Sequence, residues 1–198
     1  MCLLCESRLP TTDYIKDPEN PVARIFWGRV ELEGASSLFR FEKGSKYQAL
    51  LHGLKYKGEK KIGTFLGRML GAEILGTAFG KTDFIIPVPL HRKKEKSRGY
   101  NQSELIAKGI SIVTGITVLN TLIYRQVNTS SQTQKGRFER WKNMENVFAL
   151  SDFSDTYQDQ SFLLVDDVVT TGSTLEACAS CLKTIQGSKV YILTIACA

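Results

Sequence analysis

Two adjacent aspartates, Asp166 and Asp167, stand near the end of an apolar run, SFLLVDDVV (161–169), and a turn of hydroxyls around one glycine, TTGST (170–174), follows at once. Neighbouring carboxylates are costly beside a hydrophobic strand unless something offsets their charge. The turn opens onto a segment, 173–186, whose Leu175, Cys178, Leu182 and Ile185 fall on one helical face. Unpaired N–H groups at a helix start, with the helix dipole behind them, attract an anion. Thr170, Thr171, Ser173 and Thr174 add hydroxyl donors, and Gly172 would let the backbone come close to the bound group.

That turn suits a phosphate monoester. The aspartates repel phosphate and suit hydrogen-bond donors or a cation, which points to vicinal sugar hydroxyls or Mg²⁺. Ribose 5-phosphate carries both halves of this pattern. A plainer reading is an ordinary helix capped by Asp or Thr, but capping needs one such residue, not two carboxylates and four hydroxyls. The stretch is neither GxxxxGK[ST] nor GxGxxG, so it is not a Walker loop or a dinucleotide turn.

The elements that must hold this unit read as alternating strands and helices. SLFRF alternates as a strand would, and Tyr47, Leu50, Leu51 and Leu54 mark a helix that Lys57–Gly58 ends. Ile62 to Ile74 predicts a longer helix, DFIIPVPL (83–90) a buried strand, HRKKEKSRGYNQ (91–102) a basic loop and SELIAKGISIV (103–113) a helix. TVLNTLIY (117–124) reads as a strand, 125–146 as a polar, mobile loop, and KVYILTIACA (189–198) as a last buried strand. Continuously apolar strands separated by helices imply an α/β fold with a parallel sheet covered on both faces. Ligands of such sheets bind beyond the strands' carboxyl ends, where the aspartates and the PVPLHR stretch both fall.

A chain of 198 residues suffices for one core and a small appendage. Its 42% hydrophobic and 23% charged residues fit a water-soluble fold, and no run nears the roughly 20 apolar residues of a membrane span. MCLLCESRLP is too short for a signal peptide, so no membrane partner and a cytoplasmic location are expected. The net charge of +6 suits an anionic ligand, nucleic acid or polyphosphate, and equally serves solubility. Five cysteines, an odd number, argue against a disulfide framework.

VDDVVTTGST (165–174) resembles the phosphoribosyl-pyrophosphate signature of type I phosphoribosyltransferases throughout. IIPVPLHRKKEKSRGYNQSE (85–104) and QTQKGRFERWKN (132–143) resemble the ComF family, a competence-associated, amidophosphoribosyltransferase-like branch. The likeness covers roughly residues 45–198. It implies a type I phosphoribosyltransferase-like parallel sheet flanked by helices, with a small N-terminal hood and a partial zinc-ribbon segment. The implied division is 1–21 for the CxxC segment and 22–198 for the transferase domain, with 22–58 as hood and 83–198 as core.

The resemblance implies that Asp166 and Asp167 address the ribose hydroxyls and Mg²⁺, and that Thr170, Thr171, Gly172, Ser173 and Thr174 hold the 5-phosphate. Leu90, His91 and Arg92 would form the pyrophosphate loop, with Arg98, Asn101 and Gln102 on its rim. Lys135, Arg137 and Arg140 would belong to a flexible loop that closes over the substrate and excludes water. Purine-salvage members place a carboxylate before the Thr-Gly of this motif, and here Thr170 stands there. His52, on an apolar helix, is expected to be structural.

Cys2 and Cys5 form a CxxC, half of a tetrahedral zinc site. Family members commonly carry two such knuckles, so zinc at Cys2 and Cys5 is a second candidate cofactor beside Mg²⁺. Cys178 and Cys181 lie mid-helix and read as core. The expected function is phosphoribosyl transfer from phosphoribosyl pyrophosphate to an unidentified acceptor, with loss of pyrophosphate. The alternative is a non-catalytic competence or DNA-uptake component that binds single-stranded DNA or senses phosphoribosyl pyrophosphate. A homodimer is a candidate assembly.

Overall fold

A computed structural model describes residues 10–41, 46–126 and 147–198, and of residues 46, 47, 92 and 93 the backbone alone. Cys2, Cys5, Lys135, Arg137 and Arg140 therefore lie outside the described residues, as does the side chain of Arg92. No helix among the described residues is long and apolar enough to cross a membrane.

Five strands form one all-parallel sheet in the order β1-β7-β6-β2-β3. They are β1 (Gly34–Arg40), β2 (Phe84–Pro87), β3 (Thr117–Val118), β6 (Ser161–Val169) and β7 (Lys189–Cys197). The continuous apolar character of β6 and β7 follows from their central position. Phe162 and Leu164 share one core with Val190 and Ile192, while Leu163 and Val165 share another with Leu193 and Ile195. The fold class is thus α/β with a helix-flanked parallel sheet, as expected.

The helices divide between the two faces. α3 (Lys60–Ile74) and α5 (Gln102–Thr114) place Leu66, Leu70, Ile106 and Ile110 in the second core. α6 (Ser173–Leu182) and the short α1 (Pro21–Arg24) place Leu175, Leu182 and Val22 in the first. α3 and α5 meet with almost no space between their backbones. A Cβ on Gly67 would stand 2.1 Å from the Ile106 carbonyl oxygen, and one on Gly109 would stand 2.4 Å from that of Thr64. Glycine at these two positions is what allows that approach.

Three expectations change. The segment 91–102 is not all loop: Arg92–Arg98 forms α4, a helix of good helix formers that ends at Gly99 with φ +74°. The single strand expected over 117–124 is split. Thr117–Val118 pairs with β2, while β4 (Ile123–Arg125) pairs antiparallel with β5 (Phe148–Leu150) in a separate ribbon. Gln126 N–H donates to the Val147 carbonyl at 2.9 Å, so the chain on either side of 127–146 is held together. The segment expected as a hood contributes β1 to the sheet edge, and Phe39 is fully buried there. α2 (Lys46–Tyr56) then brings its last turn to the carboxyl end of β6.

Candidate functional site

β2 and β6 are neighbours whose following helices, α5 and α6, cover opposite faces of the sheet. A crevice forms beyond strand ends at such a point. The two stretches singled out by sequence meet there: Val88 N–H donates to the Val165 carbonyl at 2.9 Å, one residue before the aspartates.

The turn 170–174 makes a small cup, about 60 Å³, lined also by Asp166. Gly172 stands at the N-cap of α6 in the left-handed region, φ +75°, and the helix start takes no side-chain cap. Thr170, Thr171, Ser173 and Thr174 are all exposed around it, with Thr171 Oγ1 and Ser173 Oγ 3.1 Å apart. Four hydroxyl residues beside an uncapped helix start do not behave as caps. They leave first-turn N–H groups and hydroxyls for an outside acceptor.

Gly172 serves a purpose the sequence did not reveal. A Cβ there would meet Ile25 Cγ2 at 2.6 Å and Phe26 Cε1 at 2.9 Å. The residues after α1 thus press on the back of the turn. Arg29 fastens it: its Nη1 donates to the Thr171 carbonyl at 2.7 Å and to the Ile25 carbonyl at 3.0 Å, and its Nη2 pairs with Glu176 in the first turn of α6. Of the aromatics in this stretch, Phe26 is core and Trp27 is exposed.

The aspartates face other partners. Asp166 Oδ1 accepts from Ser103 Oγ and from the Asp167 N–H, each at 2.8 Å. Ser103 lies in the first turn of α5, so this bond ties the aspartate to the RGYNQ region. Burial first, then the charge of Asp167, pushes the Asp166 carboxyl up to about 7, against the opposing pull of both hydrogen bonds and Lys55. Asp167 is nearly buried, and its Oδ2 lies 3.0 Å from Lys55 Nζ. Each carboxylate keeps one oxygen with no protein partner in these contacts.

On the β2 side, Leu90 is half-buried and His91 exposed, and the His91 carbonyl starts α4 by accepting from Lys94 and Glu95. Arg98 is half-buried, with its guanidinium 5.3 Å over the Tyr56 ring. Asn101 and Gln102 lie inside rather than on an open rim. Asn101 caps α5 through Ser103 N–H and donates to the Val88 carbonyl at 3.0 Å, while Gln102 Nε2 is buried with no hydrogen-bond partner in the structure. His52 is not in the core: it is exposed, with its ring 4.9 Å from that of Tyr56.

Cys178 is fully buried between Leu175 and Leu182 in the first core, and burial holds its thiol well above the usual range. Among the described residues no group of three or more His, Cys, Asp or Glu is placed to hold a metal by itself. Lys55, Ser103 and Arg29 are the site residues that sequence reasoning missed. Lys55 and Arg29 lie far from either motif in the chain. Ser103 is the next-to-last residue of the 85–104 stretch, and its N-terminal place on α5 was the available signal.

No protein-family model matches the chain. Competence protein F of Haemophilus influenzae is 33% identical over 112 residues, 57% of this chain and 49% of that protein. The DNA utilization protein YhgH of Salmonella typhimurium is 33% identical over 137 residues, 67% of this chain and 59% of that protein. Competence protein ComFC of Bacillus subtilis is 29% identical over 98 residues, half of this chain and 37% of that protein. The chain therefore spans about half the length of the relatives it matches.

Among solved structures, the glutamine phosphoribosylpyrophosphate amidotransferase of B. subtilis is similar with a TM-score of 0.47 and 15% identity, covering 67% of this chain and 25% of that one. The purine phosphoribosyltransferase of Pyrococcus horikoshii is similar with a TM-score of 0.43 and 17% identity, covering 68% and 81%. By sequence, the chain is similar to the proteins named competence protein F, ComFC and YhgH.

Proposed function

We propose that the protein binds phosphoribosyl pyrophosphate and transfers its phosphoribosyl group to an acceptor, releasing pyrophosphate. The observation that carries this reading is the uncapped start of α6 inside a ring of exposed hydroxyls, with a carboxylate pair one turn away held by other partners. The 5-phosphate takes the cup at 170–174. The ribose hydroxyls donate to the free oxygens of Asp166 and Asp167. His91 and the backbone N–H groups that follow Leu90 meet the leaving pyrophosphate, where donors lower the barrier by stabilising its growing charge.

Two neighbouring carboxylates with an unshared oxygen each suit Mg²⁺, which is bound through one or two carboxylates together with substrate phosphates. Bound there, the ion would offset pyrophosphate charge. No carboxylate precedes the Thr171–Gly172 pair, so the acceptor is best served by its own lone pair, as in ammonia, an amine or a base nitrogen.

The names of the relatives favour a second reading. Competence and DNA utilization fit a component that binds single-stranded DNA or senses phosphoribosyl pyrophosphate without turnover. One experiment separates the two: pyrophosphate release from phosphoribosyl pyrophosphate across ammonia, amine and nucleobase acceptors, with and without Mg²⁺. Acceptor-dependent release supports transfer. Tight binding with no release from any acceptor supports the sensor.

A further inference from the structure

A larger cavity, about 570 Å³, lies between the end of α2 and α4, linked to the carboxylate pair through Lys55. Lys55, Tyr56, Lys94, Ser97, Arg98 and Tyr100 line it. Three of these are cations, two are aromatic and none is acidic. Among the described residues neither Lys94 nor Arg98 is ion-paired. Tyr100 is held in place, its hydroxyl donating to the Leu54 carbonyl with Lys60 Nζ 5.2 Å over its ring, while Tyr56 is exposed with the Arg98 guanidinium 5.3 Å from its ring.

Cations gathered in a concave site repel one another and gain from an anion placed between them. The volume is that of a small-molecule pocket and far exceeds what one phosphate needs. Aromatic walls add flat apolar surface, which inorganic anions do not use and planar organic ones do.

We propose that this pocket holds the acceptor and that the acceptor is a small planar acid. Its acid group meets Lys94 and Arg98, and its ring lies against Tyr56 and Tyr100. The acceptor role rests on the phosphoribosyl-transfer reading above, whereas the acid site rests on the pocket alone. Lys55 connects the two sites, because it lines this pocket and pairs with Asp167 at 3.0 Å. An acid in the pocket competes for Lys55 and opens the second Asp167 oxygen, beside the one already free, to the sugar hydroxyls. By linkage, each ligand then tightens the other.

The test uses the whole chain and calorimetry with two matched pairs: anthranilate against 2-aminobenzamide, and nicotinate against nicotinamide. At least one acid binds about tenfold more tightly than its amide, as a charge-assisted contact requires. The Lys94→Gln/Arg98→Gln variant loses about tenfold in affinity for that acid and keeps its ribose 5-phosphate affinity. Ribose 5-phosphate tightens acid binding in the parent protein but not in Lys55→Met. Equal affinity for acid and amide in both pairs, or no acid binding, overturns the proposal. Displacement of the acid by pyrophosphate, with the double variant losing pyrophosphate affinity in step, gives the pocket to the leaving group and overturns it as well. Intact acid binding in a protein that does not bind ribose 5-phosphate would remove the acceptor role and leave the acid site standing.

Discussion

Lys55 Nζ stands 3.0 Å from Asp167 Oδ2, joining the last turn of α2 to the end of the strand that feeds the 170–174 turn. A quarter of the lysine side chain and about an eighth of the aspartate's remain exposed. The contact gives Asp167 a cationic partner before any ligand arrives.

Removing that partner leaves a nearly buried carboxylate unpaired. Breaking a fully buried pair costs about 3–5 kcal/mol, and partial exposure here lowers that to about 2 kcal/mol. Lys55→Met should therefore lower the melting temperature by about 4–8 °C in a domain of this size. Scanning calorimetry checks this, and an unchanged melting temperature would show that solvent already screens the pair.

Asp166 makes stability depend on pH. Its carboxyl titrates near 7 in the folded chain because of burial and the neighbouring Asp167 charge, and an unfolded aspartate titrates near 4. Between those values the native state holds the extra proton, so stability falls as pH rises from about 4 to 7. Asp166→Asn keeps an oxygen to accept from Ser103 and the Asp167 N–H but carries no charge. Its melting temperature should exceed the parent's at pH 8, and the gap should close at pH 4. Parallel curves at both pH values would refute the burial of charge at this position.

Arg29 fastens the cup without lining it. Arg29→Gln removes the Thr171 tether and the Glu176 pair, both on a partly exposed side chain, so the stability loss should stay near 1 kcal/mol. Phosphate affinity should fall about fivefold as the turn loosens, since one retained kcal/mol of ordering is worth about that factor. Titration with ribose 5-phosphate reads this, and an unchanged affinity would mean that Ile25 and Phe26 alone hold the turn.

Gly67→Ala tests the helix pair beneath the sheet. Its Cβ would meet the Ile106 carbonyl at 2.1 Å, a backbone atom that cannot step aside. The variant should lose about 3 kcal/mol, near the upper end for overpacking, and urea denaturation would show it as a lower midpoint. A midpoint equal to the parent's would contradict the close packing of α3 on α5.

The site was legible where chemistry and chain neighbours coincide. Asp166, Asp167 and the 170–174 turn read directly, because a carboxylate pair and a hydroxyl cluster at a strand end have few other uses. Gly172 was noticed for the close backbone approach it would allow, and its packing against Ile25 and Phe26, which occupy the space a side chain would fill, left no signal in the sequence. Lys55 and Arg29 left no trace, since a lysine at a helix end and an arginine in a turn look like ordinary surface charge until tertiary contacts are formed. The glycines of α3, four residues apart at 63, 67 and 71, were visible but lay in a segment read only for its apolar face. α4 was missed because its charges suit a loop as well as an exposed helix, and periodicity is silent where no face is buried.

In the proposed site the cup takes the phosphate while the carboxylate pair takes the sugar. Calorimetric titration of the parent and Asp166→Asn/Asp167→Asn with Mg²⁺–phosphoribosyl pyrophosphate tests it most directly. The parent should bind, and the variant should lose at least about a hundredfold in affinity, as two charge-assisted contacts are removed. Equal affinity in the two proteins would contradict it.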